Sequence, residues 1–151
     1  MVAISTAQCT HAESGVAAQT LACSFPSANT AGNALVAFVA CFRANPTTPS
    51  VLNVSDSQGN TWVRISSADT SSNNVAQMSG SMFYANNVAG ATNTVTSCAS
   101  LSSSFLSMWV GEMSGADTAT ALDAALSTSG FSTVQVHNVV TASTAAELYV
   151  V

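Results

Sequence analysis

The chain has no lysine and only two arginines, Arg43 and Arg64, among its 151 residues. Seven acids bring the charged fraction to 6%, where a soluble domain ordinarily carries about 25%. Two cations cannot form the basic patch that neutralises phosphates, which argues against nucleic-acid binding. A lysine–asparagine isopeptide cross-link is excluded for the same lack of lysine. The acids Glu13, Asp56, Asp69, Glu112, Asp117, Asp123 and Glu147 are scattered and form no block. Long apolar runs are missing too. The longest, residues 34–42, stops at Arg43, far short of the ~20 residues of a membrane span. Residues 1–5 show neither the basic nor the apolar region of a signal peptide, so export would rely on a signal already removed.

Hydroxyl and amide side chains stand where charge is absent. Ser and Thr make up about a quarter of the chain, well above ordinary usage. With 48% hydrophobic residues the chain is globular rather than disordered, and its length fits one domain, residues 1–151. A neutral, hydroxyl-rich surface suits an extracellular or cell-surface protein.

The four cysteines, Cys9, Cys23, Cys41 and Cys98, include no C-x-x-C pair and no cysteine–histidine cluster of the zinc type. An even count in a chain of exported character favours two disulfides. The expected pairing is Cys9–Cys23 across a hairpin and Cys41–Cys98 between distant strands. Four buried free thiols are the alternative.

Hydrophobicity alternates with period two, the sign of half-buried strands. Strands are expected at 2–8, 20–25, 34–42, 51–55, 61–66, 77–84, 93–98, 105–110, 133–140 and 147–151. In 105–110, Leu106, Met108 and Val110 share one face; in 61–66, Val63 and Ile65 oppose Trp62 and Arg64. The run 34–42 is apolar on both faces, as in a central strand covered on both sides. The stretch 56–60 reads as a hairpin loop, and 118–126 is the one helical candidate. Short strands at roughly ten-residue spacing indicate an antiparallel β-sandwich. The expected core is Leu35, Val39, Val63, Ile65, Met82, Leu106, Met108, Val110, Val134 and Val136.

Five segments occur in a familiar order: Thr30-Ala31-Gly32-Asn33-Ala34-Leu35-Val36, then Val54-Ser55-Asp56-Ser57-Gln58-Gly59-Asn60-Thr61-Trp62, then Tyr84-Ala85-Asn86-Asn87-Val88-Ala89-Gly90-Ala91, then Asn93-Thr94-Val95-Thr96, and Glu112-Met113-Ser114-Gly115-Ala116-Asp117. Together they resemble a widespread family of bacterial secreted and cell-surface β-sandwich domains. The resemblance implies a jelly-roll-like or immunoglobulin-like sandwich and brings no catalytic residues. Domains of this look continue past the strand at 147–151 with further strands, so either the sequence is a fragment or the sandwich is completed by a strand from a neighbouring subunit.

Candidate chemistry is sparse. Histidines His11, placed in a loop, and His137, on a strand, lack a G-x-S-x-G elbow or any third group to orient them. Glu112 and Asp117 form the one carboxylate pair worth considering for glycoside hydrolysis; a strand-end acceptor and a turn cap are the plainer roles. Asp56 and Asn60 offer oxygens to calcium, against an Asx turn at Asp56. Trp109, Trp62 and Tyr84 are the candidates for stacking on a glycan, and Asn53 heads the N-x-S sequon Asn53-Val54-Ser55. No cofactor is implied. The sequence therefore points to a non-enzymatic extracellular structural module, a surface, filament or appendage subunit that self-associates through strand edges. A carbohydrate-binding module and a viral coat or decoration protein are the alternatives.

Overall fold

The computed structural model describes residues 4–43, 49–72, 77–102 and 104–119, with the backbone alone at 66–72. The expected strands at 133–140 and 147–151, the expected helix beyond residue 119, and Val134, Val136 and His137 lie outside these residues. The described residues form eight strands: β1 (Ser5–Glu13), β2 (Thr20–Ser24), β3 (Ala34–Arg43), β4 (Val51–Asp56), β5 (Trp62–Ser72), β6 (Gln77–Ala85), β7 (Thr94–Ala99) and β8 (Phe105–Ser114). They build two antiparallel sheets, ordered β1-β8-β3-β6-β5 and β2-β7-β4, so the expected β-sandwich is the fold.

The strand order separates the two sandwich types the resemblance allowed. An immunoglobulin sandwich pairs its first two strands as a hairpin. Here β1 pairs with β8 and β2 with β7; strands β1 to β5 alternate between sheets, and β5 and β6 then pair as neighbours within the larger one. That connectivity departs from the immunoglobulin pattern.

Strand parity places the core. Leu35, Ala37, Val39 and Cys41 of β3 point inward beside Leu106, Met108 and Val110 of β8. Phe83 and Ala85 of β6 extend that layer against Cys23, Val51, Val54, Val95 and Ala99 of the smaller sheet. Each large side chain contributes about 1.5–3 kcal/mol by leaving water. Leu35, Val39, Leu106, Met108 and Val110 are thus core as expected.

Three expected core positions are not. Val63 is 44% exposed, because Trp62 takes the inward side of β5. Ile65 falls in a bulge between Arg64 and Ser66, where alternation breaks down. Met82 sits on the outer face, in a small cluster with Ala34, Val36 and Met113. The central position of β3 is as expected, between β8 and β6, but its outer face is open: Phe38 is 45% and Phe42 39% exposed.

Candidate functional site

The Asp56 turn is built by one carboxylate. Its Oδ1 accepts the backbone N–H of Gln58 (3.0 Å) and Asn60 (3.1 Å). Its Oδ2 accepts Asn60 Nδ2 (2.8 Å), Trp62 Nε1 (2.9 Å) and Asn93 Nδ2 (3.3 Å). Gly59 closes the loop at φ 71°, a conformation glycine adopts without strain. Burial alone would raise the Asp56 carboxyl; the donors of Asn60, Asn93 and Trp62 outweigh it and hold its pKa below the ordinary aspartate value. Both oxygens face N–H groups, whereas calcium requires a shell of oxygens. The Asx turn accounts for Asp56, and the calcium assignment to Asp56 and Asn60 does not fit this donor set.

Glu112 does the same work nearby. It is 1% exposed, carried inward by the parity of β8. Gln8 Nε2 (2.5 Å) and Asn29 Nδ2 (2.9 Å) donate to Oε2, and Thr30 N (2.7 Å) and Asn33 Nδ2 (2.6 Å) to Oε1. Burial again pushes upward; the four donors prevail and depress the pKa. Asp117 instead caps a turn, accepting the N–H of Ala119 at 2.7 Å. His11 is not in a loop but on β1, opposite Trp109 on the outer face, while Glu112 faces the interior. His11 and Glu112 therefore lie on opposite faces of the sheet and share no cleft.

All five sequence motifs meet at this end of the sandwich. Gly32 N donates to Val88 O (3.0 Å), and Val88 N to Asn33 O (3.0 Å). Ala89 N donates to Asn60 Oδ1 (3.0 Å). A Cβ on Gly90 would lie 2.8 Å from Ala31 N, so the two loops approach more closely than any side chain permits. Asn93, fully buried, joins the network through Ser57 Oγ (3.2 Å). The motifs weld loops together, and among the described residues Asn29 Oδ1 and Asn86 Oδ1 are buried there without a hydrogen-bond partner.

The aromatic candidates split. Trp62 packs against the inter-sheet core and so leaves the proposed glycan platform. Trp109 and Tyr84 share the outer face of the five-stranded sheet, on either side of β3. There, neighbouring rows across the sheet read His11-Trp109-Phe38-Met82, Glu13-Ser107-Ala40-Gly80, and Phe105-Phe42-Met78. A row of small residues thus runs between two apolar ridges, forming a trough of about 280 Å³ toward one end of the face. Trp109 lies over Gly111, where a Cβ would come within 2.4 Å of the indole. Phe105 and Met78 are 44% and 49% exposed.

All four cysteines are free, which corrects both expected disulfides. Parity is the reason. Cys9 points outward from β1 and Cys23 inward from β2; Cys41 points inward from β3, with its Sγ 3.0 Å from Ser79 Oγ, and Cys98 is only partly buried on β7. Each expected pair would join opposite sides of a sheet. Burial raises the thiol pKa of Cys23 and Cys41, against weaker opposing contacts from Thr10 and Ser79. Asn53 is exposed on the edge strand β4. Among the described residues no helix is long and apolar enough to cross a membrane. Comparison of the chain with protein-family models, curated proteins and solved structures gives no match.

Proposed function

We propose that this chain is a non-enzymatic structural module, a surface, filament or appendage subunit that associates with copies of itself. One observation carries the reading: the outer face of the five-stranded sheet holds Phe38, Phe42, Phe105, Met78 and Val63, each 39–49% exposed, in rows on either side of the Ser107-Ala40-Gly80 row, which the Phe38 ring overhangs at Gly80. A contiguous apolar patch of this kind marks a contact surface. The edge of β1, unpaired among the described residues, adds a second contact of the type that joins sheets. Consumption of both depressed carboxylates by loop-tying donors supports a scaffold rather than a catalyst. The extracellular setting rests on the lysine-free, hydroxyl-rich composition, and the same assembly chemistry would serve a viral coat or decoration protein.

Light scattering and electron microscopy across a concentration series test it. The expected result is defined oligomers or filaments, with Phe38→Ser and Phe42→Ser reducing assembly while the monomer stays folded. Monodisperse monomer at every concentration would overturn the proposal. Trp109 and Tyr84 on that same face favour one second reading, glycan binding. It predicts polysaccharide retention that Trp109→Ala abolishes and Trp62→Phe leaves intact.

A further inference from the structure

We infer that Arg64 is a clasp: its guanidinium shuts the sandwich along the β4–β5 side, and that side opens as a unit when the clasp is removed. The inference stands on contacts within one chain and does not rest on the assembly reading above.

β4 and β5 follow one another in the chain but lie in different sheets, each at the end of its strand order. Residues 57–61 carry the chain across. Among the described residues the two strands share no ladder, so side chains must hold them together. Two do so, both from the inward side of β5. At the crossing, Trp62 Nε1 donates to Asp56 Oδ2 (2.9 Å). Farther along, Arg64 Nη2 donates to Val51 O and to Leu52 O (2.8 Å).

The backbone of β4 is shaped to receive the guanidinium. Successive carbonyls of a regular strand point to opposite sides. Val51 O and Leu52 O nevertheless meet the same nitrogen, and the register of β4 slips between Val51 and Asn53. A bulge kinks its strand and leaves one residue out of the ladder; here it turns both carbonyls toward Arg64. The other side of the guanidinium is fixed as well. Arg64 is the cross-strand partner of Phe83 on β6 and stands 5.1 Å from the centre of that ring, within cation–π range. Phe83 belongs to the inter-sheet core and is 3% exposed. One side chain thus covers a core aromatic of the larger sheet and grips the backbone of the smaller one. A planar, always-charged fork can do both at once, and a compact ammonium cannot. The opposite side of the sandwich has its own closure, where β2 packs on β1 and β8, and Arg64 takes no part in it.

Hydrogen–deuterium exchange of the full-length protein, read by mass spectrometry under native conditions, tests the clasp. Arg64→Met keeps the apolar stem and removes the donors and the charge. Exchange should quicken about tenfold or more in β4 and in the first half of β5, the loss expected for bonds from a charged donor, while β1 and β8 keep their wild-type rates. Arg64→Lys should recover only part of the protection, and serves in its place where Arg64→Met fails to fold. Unchanged exchange in β4 would overturn the inference. So would equal acceleration in β1 and β8, which would make Arg64 a contributor to global stability, or full protection in Arg64→Lys, which would make charge alone sufficient.

Discussion

Asn33 Nδ2 donates to Glu112 Oε1 at 2.6 Å, joining two residues that are 79 positions apart in the chain and close in the fold. The bond ties the loop before β3 to the end of β8. Since Gln8, Asn29 and Thr30 N share the same carboxylate, Glu112 organises three segments at once.

Glu112→Gln should therefore destabilise the fold. The amide turns a donor toward donors and forfeits charge-assisted bonds, a cost of about 2–3 kcal/mol. Urea unfolding measures it. A loss of only a few tenths would show that the loops hold without the carboxylate.

Acid should weaken the protein through the same groups. Glu112 and Asp56 both have folded pKa values below their unfolded ones. Between the two values the unfolded chain binds more protons, so stability rises with pH there. The contribution is complete above the unfolded values of about 4 and disappears as pH falls through the folded ones. Urea midpoints should hold steady near neutrality and drop in the acid range, less steeply in a variant carrying Asp56→Asn and Glu112→Gln.

Trp62→Phe keeps the apolar ring and removes the indole donor to Asp56. A loss of about 1 kcal/mol is expected from one such bond. Thermal unfolding checks it, and no shift would mean the bond contributes nothing.

Gly90→Ala should cost about 1–3 kcal/mol, since the added methyl meets backbone at Ala31 rather than a yielding side chain. Gly15→Ala, with nothing within 4 Å, is the matched control and should be near neutral by calorimetry.

Reduced, folded protein should expose Cys9 to a thiol reagent first, with Cys98 slower and Cys23 and Cys41 protected. Denaturation should release all four. Rapid labelling of Cys41 in the native state would contradict its burial.

Alternation made β8 and the inner face of β3 readable, because Leu106, Met108 and Val110 obey a single rule. The same rule read β5 backwards. There Trp62 turns inward because Asp56 receives its N–H, and Arg64 crosses to the carbonyls of Val51 and Leu52 and stands 5.1 Å from the Phe83 ring centre. Polarity predicted the opposite face, since partners distant in space leave no mark on local pattern. The disulfide expectation failed on the same ground: cysteine count says nothing about which side of a sheet each thiol occupies. The Asx turn at Asp56 was legible because its turn partners Gln58, Asn60 and Trp62 lie within six residues; the Glu112 hub was not, with donors 79–104 residues away.

Tying the motif loops together at one pole leaves the other free of that duty. The connection between β1 and β2 lies there, and Val16 at its tip is 73% exposed. Foreign peptide grafted beside Val16 would project from the sandwich's far end without touching the welded pole, which makes this turn the natural display position on the molecule.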